Sequence, residues 1–360
     1  MKAVILVGGE ATRLKPLTPT VPKAMVPVLN VCFLEYVFRH LSAHGISDIS
    51  LTQSHFARPI YDYFGDGARS GINLSYVIEK VPLGTAGAIR NSAGFLDDTF
   101  LVLNGDIITD LDLSALIRYH RENWAQVTIT LTPVDDPTRY GLIEYDGRGR
   151  VTRFLEKPKP EEVTTNTINA GTYVIEPEVL ERIPVNKKVS IERETFPALV
   201  SEDIPVFAFN SDAYWIDMGT PEKYLQLNRD ILRGATKFHQ PPDDKLSLGR
   251  DTVLAAGVST DGEILLGDRS NIAAGVRLRG PLVMGHDNKV AENSTLETSV
   301  IWNRVRVGRN VAVKDSIVAD NCVLGDNCRI YGAVLGHGVE LAPDTALEPG
   351  TRLPDNAQAD

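Results

Sequence analysis

The sequence predicts two architectures in series: an open α/β sheet, then a parallel β-helix. Three observations carry this reading. Short apolar runs alternate with helical spacings in the first part of the chain. A Pro- and Asp-rich stretch at residues 239–244 interrupts that pattern. Beyond it, aliphatic residues recur at every sixth position.

Residues 3–7, Ala-Val-Ile-Leu-Val, form a continuous apolar run of the kind buried on both faces of a sheet. Gly8-Gly9 turns it into a loop. Leu34, Val37, Phe38 and Leu41 then stand at i, i+3, i+4 and i+7, the spacing of one helix face, with Gly45 placed to stop it. Residues 49–52, 73–78 and 99–103 read as further strands, with a helix of small residues over about 85–94. Residues 127–132 alternate with period two, and 142–145 and 151–155 flank Asp146-Gly147-Arg148-Gly149, a turn signal between two strands. Thr220 as N-cap, Pro221 at the first helical position and Glu222 in the first turn open a last helix that ends near Gly234.

In the repeat region, Leu266, Ile272, Leu278, Met284, Val290 and Leu296 are six residues apart. After a slip, Val305, Val311, Ile317 and Val323 resume the step, with Gly, Asn and Asp filling the turns. Each hexapeptide then makes one face of a triangular coil and turns its aliphatic side chain inward. No single repeat can bury that side chain, so stability comes from stacking. The expected division is 1–234 for the sheet domain, 235–250 for a linker and 251–360 for the repeats.

The chain has 360 residues, enough for two domains. Its net charge of −10, with no long Lys/Arg run, argues against nucleic-acid binding. Three cysteines without a C-x-x-C pair argue against a zinc site or a disulfide scaffold and for a reducing compartment. No stretch has the length of a membrane span, and the apolar start is too short for a signal peptide, so the expected location is cytoplasmic.

Chemistry concentrates where strands end. Leu6-Val7-Gly8-Gly9-Glu10-Ala11-Thr12-Arg13-Leu14-Lys15-Pro16-Leu17-Thr18, followed by Pro22-Lys23, begins at the carboxyl end of the first strand, where ligands bind in open α/β sheets. Glycines let a backbone approach phosphates, and Arg13 and Lys23 supply positive charge. Neither the Walker pattern nor G-x-G-x-x-G is present. Alone, the Gly-Gly pair favours the plainer reading, a glycine turn with two surface cations. Four further segments follow: 79–88 (Glu-Lys-Val-Pro-Leu-Gly-Thr-Ala-Gly-Ala), Asn104-Gly105-Asp106, Glu156-Lys157-Pro158, and Trp215-Ile216-Asp217-Met218-Gly219-Thr220-Pro221.

Taken in order, these segments resemble the signatures of the sugar-1-phosphate nucleotidylyltransferases, G-G-x-G-T-R-L-x-P-L-T…P-K at the front and W-x-D-x-G-T/Q-P at the end. The resemblance covers roughly residues 1–234, and a hexapeptide tail is common in the family. It implies a Rossmann-like open mixed sheet with helices on both faces, followed by a left-handed parallel β-helix. It implies a reaction in which a nucleoside triphosphate and a sugar 1-phosphate give a nucleotide sugar and pyrophosphate. By the same resemblance, Asp106 and Asp217 hold Mg2+, and Arg13, Lys23, Asp106 and Asp217 are the catalytic set. Leu6, Gly8, Gly9, Thr12, Arg13, Lys23, Gly84, Thr85 and Asp106 surround the nucleotide. Gly141, Glu156, Lys157 and Asn169 surround the sugar phosphate. The attacking phosphate oxygen is already anionic, so positioning and charge neutralisation suffice without a general base.

One departure stands out: the family has Gly where this chain has Ala11. If the position requires φ > 0, Ala is strained there. Residues 82–87 are most similar to the guanylyltransferases that act on mannose 1-phosphate, with glucose-1-phosphate uridylyl- or thymidylyltransferases as alternatives. A non-catalytic regulatory subunit should have lost one of the four catalytic residues, and none is missing. An acyltransferase tail would need a histidine base, for which His286 and His337 are available, each beside glycine in a turn. The repeats are expected to support a homo-oligomer instead.

Overall fold

The computed structural model describes residues 1–9, 11–19, 21–53 and 57–359. Glu10 of the glycine segment lies outside them. In chain order the elements are β1 (Lys2–Leu6), β2 (Pro27–Val28), β3 (Val31–Cys32), α1 (Phe33–Ala43), β4 (Asp48–Gln53), α2 (Ala57–Phe64), β5 (Asn73–Ile78) and α3 (Gly84–Asn91). Then come β6 (Phe100–Asn104), β7 (Ile107–Thr109), α4 (Leu113–Glu122), β8 (Val127–Pro133), β9 (Gly141–Tyr145), β10 (Val151–Glu156) and β11 (Thr167–Ile175). The series closes with α5 (Phe196–Ser201), β12 (Val206–Asn210), β13 (Trp215–Asp217) and α6 (Pro221–Leu232). Short parallel strands fill the rest of the chain.

The polypeptide forms two compact units interleaved in sequence: Met1–Glu10 with Leu34–Trp215, and Ala11–Phe33 with Ile216–Asp360. The first unit is built on a mixed sheet in the order β10-β9-β11-β6-β1-β4-β5, with β8 joining β11 to β12. β1 pairs in parallel with both β4 and β6, whereas β11 runs antiparallel to β6 and β8. This explains the unbroken apolar run in β1: it is a central strand, and Ala3, Val4 and Ile5 are fully buried. Val4, Phe100, Val102, Ile129, Leu131, Tyr173 and Phe196 are part of one hydrophobic core. Parallel pairing puts the ends of β1 and β6 side by side, with Leu6 opposite Asn104.

The second unit contains the β-helix, whose three faces are three parallel sheets of seven, seven and six strands. Leu266, Ile272, Leu278, Met284, Val290 and Leu296 all lie in its core, as the six-residue step requires. After the slip the reading needs correction. Val305 and Val311 line the core, but Ile317 and Val323 are outside it, and Val318 and Leu324 take those places. The cause is coil length. Ile264 stacks on Leu282, eighteen positions on, whereas Val283 stacks on Val300 and Val300 on Ile317, seventeen each. A seventeen-residue coil must shorten one of its faces, and the inward step falls to five between Val313 and Val318. Asn293, Asn310, Asn321 and Asn327 sit at corners with φ of 54–64°, a region Asn tolerates. Cys322 and Cys328 are buried in this core as free thiols, and burial pushes Cys322 up to about 12.

Within the second unit the coil packs on α6 and on the β2–β3 hairpin that follows the glycine segment. The Trp302 indole N–H donates to Tyr224 Oη (2.9 Å), which donates to Pro27 O (2.5 Å). Asn30 Nδ2 donates to Met284 O, and Leu29 N donates to Asn228 Oδ1. Arg229 pairs with Asp315 at 2.6 Å. The β2–β3 hairpin, which follows Lys23 in the chain, is therefore braced by the repeat region.

Candidate active site

In the first unit, the ends of β1 and β6 meet closely. Gly105 N donates to Leu6 O (2.9 Å), and a Cβ on Gly105 would stand 2.6 Å from that oxygen, so only glycine fits this turn. The turn places Asp106 just past the carboxyl end of β6, where its charge reaches Tyr173. Gly9 is exposed.

The 82–87 segment owes its small residues to a neighbour. Gly84 has φ of 72°, and a Cβ there would come 2.5 Å from Val189 O; on Gly87 it would come 2.7 Å from Lys187 O. The start of α3 is pressed against residues 187–192. Thr85 Oγ1 donates to Glu192 Oε2 (2.7 Å) and accepts from Ile191 N (2.8 Å). The Thr85 hydroxyl thus fixes the loop from inside.

The residues assigned to the sugar phosphate come together. A Cβ on Gly141 would meet the Phe154 ring at 2.8 Å and Glu156 Oε2 at 3.1 Å. The absence of a side chain there leaves the Glu156 carboxylate room. Lys157, at φ of 53°, donates its N–H to Tyr140 O, and its ammonium lies 4.0 Å from Glu156 Oε1. Asn169 Nδ2 donates to Tyr173 Oη (2.7 Å), and its Oδ1 accepts from Gly171 N. Two groups missing from the sequence reading complete the cluster, Glu192 and the buried Tyr173. Burial first, then repulsion from Glu192, hold Glu156 above the usual carboxylate range. Burial, with the charges of Glu192, Glu156 and Asp106, pushes the Tyr173 hydroxyl well up. These shifts mark an acidic, partly desolvated cluster suited to accepting hydrogen bonds from hydroxyl groups.

In the second unit, Ala11 adopts φ 48° and ψ 32°, the left-handed region. The position does require φ > 0, and Ala bears a cost of roughly 1–2 kcal/mol there that Gly would avoid. The turn is held by Leu14 N and Thr18 Oγ1 donating to Ala11 O (3.0 and 3.2 Å). It buries Leu14 and Leu17 and leaves Thr12 and Arg13 exposed, while Lys23 is half-buried in a short 3-10 turn. Arg13 reaches the end of β13. A Cβ on Gly219 would stand 2.9 Å from Asp217 Oδ2 and 3.2 Å from Arg13 Nη2, so both groups crowd the same glycine. Asp217 also forms an ion pair with Lys223, a residue the motifs did not single out. Thr220 caps α6 by accepting from Lys223 N, and Pro221 follows at the first helical position, as the sequence predicts.

A family model described as nucleotidyl transferase matches residues 2–234, and one described as GMPPB C-terminal domain matches 260–357. This chain belongs to the nucleotidyl transferase family. Among its relatives in the family, a Mycobacterium tuberculosis mannose-1-phosphate guanylyltransferase is 44% identical over 64% of this chain and 65% of its own length. The chain therefore spans just under two thirds of that relative. A Synechocystis UTP–glucose-1-phosphate uridylyltransferase is 34% identical over 88% of this chain and 87% of its own length. The crystal structure of HddC from Yersinia pseudotuberculosis superposes with a TM-score of 0.56 at 32% identity, covering 63% of this chain and 97% of HddC.

Family members generally work with a divalent metal ion. Among the described residues no three His, Cys, Asp or Glu side chains form a ready metal cluster. One or two carboxylates with substrate phosphates are what a small hard cation uses, so the donor chemistry of Asp106 and Asp217 fits such an ion. Among the described residues no helix is long and apolar enough to cross a membrane.

Proposed function

We propose that the chain transfers guanylate from GTP to mannose 1-phosphate, releasing pyrophosphate and forming GDP-mannose. The observation that carries the reaction is that Arg13 and Asp217 both approach Gly219, on a turn built around the left-handed Ala11. A cation beside a carboxylate that could hold a metal suits the stabilisation of charge on a leaving pyrophosphate. Asp106 and Asp217 would hold Mg2+, which when bound draws the α-phosphate and the sugar phosphate together. Lys23 adds charge on the triphosphate, with Leu6, Gly8, Gly9, Thr12, Gly84 and Thr85 forming the nucleotide cradle. Glu156 and Asn169 orient sugar hydroxyls beside Gly141, and Lys157 anchors the incoming phosphate.

The base and the sugar rest on the mycobacterial relative's name and on HddC, which has also been solved with GMP-PN. A second reading, UTP with glucose 1-phosphate, is favoured by the uridylyltransferase relative, whose match extends through the repeat region. A matrix of nucleoside triphosphates against sugar 1-phosphates, scored by pyrophosphate release with Mg2+, tests both. The highest kcat/KM is expected for GTP with mannose 1-phosphate. A maximum for UTP with glucose 1-phosphate selects the second reading, and no release from any pair overturns the reaction itself.

A further inference from the structure

Lys223 stands in an unfavourable place for a cation. Helix α6 starts from Thr220, whose hydroxyl accepts from Lys223 N, and Lys223 is the third residue of the helix. That position favours Glu or Gln, whose side chain reaches back to the cap, and the positive end of the helix dipole repels an ammonium group. The preceding residue, Glu222, does suit the first turn, and its carboxylate accepts from Arg352 at 2.8 Å. Neither the helix nor its acidic neighbour accounts for the lysine.

Its ammonium is directed at the end of β13 instead. Lys223 Nζ donates to Asp217 Oδ1. Asp217 Oδ2 lies over Gly219, the glycine that Arg13 Nη2 also approaches. All four residues belong to the second unit. Only 14% of the Asp217 side chain is exposed, so an incoming cation finds Oδ1 engaged and little open surface around the carboxylate. A divalent ion and an ammonium a few ångströms apart repel each other, and more so where water is largely excluded. The two cannot share this oxygen without cost. Lysine suits an occupant that must leave, because its charge is compact and its stem flexible, whereas arginine would hold a carboxylate with a planar fork.

We propose that Lys223 is a built-in competitor of the divalent metal ion: its ammonium holds the Asp217 carboxylate until the ion displaces it, and so sets the affinity of the site for metal. The inference rests on the reading of Asp217 as a metal ligand. The test is Mn2+ binding to the full chain, followed by electron paramagnetic resonance of the free ion, for wild type, Lys223→Met, Lys223→Arg and Asp217→Asn. Lys223→Met keeps the stem and loses the charge. It is expected to bind Mn2+ about tenfold more tightly than wild type, the scale of one charge-assisted hydrogen bond. Lys223→Arg keeps the charge and should not gain affinity. Thermal melts give a second reading: Mn2+ should raise the melting temperature of Lys223→Met at lower concentrations than it does for wild type, whatever the starting values. A lysine that only ties α6 to β13 would cost the Met variant stability and leave Mn2+ affinity unchanged. Affinity in Lys223→Met at or below that of wild type, with binding weakened in Asp217→Asn, overturns the competition alone. Undiminished Mn2+ binding in Asp217→Asn overturns it together with the metal assignment.

Discussion

Two regions of the molecule treat a carboxylate in opposite ways. In the second unit Asp217 is neutralised, with Lys223 paired to it and Arg13 beside it. In the first unit burial, and then the nearby carboxylate of Glu192, drive the Glu156 carboxyl above its usual range. The first arrangement suits phosphates and metal, where cations and carboxylates must alternate. The second suits neutral hydroxyls, which donate protons to carboxylates. The difference teaches that one family signature is spread over two electrostatic environments, which under the proposed reaction would serve different parts of the substrates.

The largest expected effect is on the cationic side. Arg13→Ala should lower kcat by about 10^2–10^3-fold, the usual loss for one preorganised charge-stabilising group, with a melting temperature close to wild type because the side chain is exposed. Pyrophosphate-release kinetics with parallel thermal melts check both parts. Next, Tyr224→Phe removes the hydroxyl between Trp302 and Pro27 and leaves buried polar groups unmatched. A loss of about 1–3 kcal/mol is expected by denaturant unfolding. An unchanged midpoint would show that the coil does not brace the β2–β3 hairpin through this chain of bonds.

A smaller effect belongs to the acidic side. Glu156 has a raised folded-state pKa, so in the window between its unfolded and folded values the native state binds more protons than the unfolded one. Stability from this group therefore falls as pH rises through that window. Glu156→Gln should melt higher than wild type at neutral pH, and the gap should close below the ordinary carboxylate range. A gap that grows on acidification contradicts the desolvated pocket. The smallest effect is expected at Ala11. Replacing it by Gly relieves left-handed strain of roughly 1–2 kcal/mol, but about half of this is offset by about 0.4–1 kcal/mol of added unfolded-state freedom. A slight rise in melting temperature is the expected result.

The sequence made much of this legible, for physical reasons that differ by element. The central strand β1 declares itself because burial on both faces leaves no room for polar residues. The α6 start declares itself because Thr220 and Pro221 each do a job tied to one position. Helix α4 stayed hidden: Leu113, Leu116 and His120 are its buried face, and a histidine breaks the apolar pattern. His120 is tolerated there because its ring bonds to Thr128 Oγ1 (2.8 Å) and Glu176 Oε1 (3.0 Å), partners no local pattern reveals. β11 was equally obscure, since Gly171 at φ of 69° interrupts it where the chain presses on Asn104. At the candidate site, Glu192 lies in no motif the sequence offered. It joins the cluster through Thr85, more than a hundred residues away in sequence. The coil slip was visible as a fault in the period, yet which face shortened depended on stacking registers.

The most direct measurement of the account is steady-state kinetics of pyrophosphate release for Arg13→Ala and Glu156→Gln side by side. The prediction is a clean division: Arg13→Ala lowers kcat with little change in KM for the sugar 1-phosphate, and Glu156→Gln raises that KM with a smaller change in kcat. If both variants move the same parameter by similar amounts, the two regions do not divide the substrates between them.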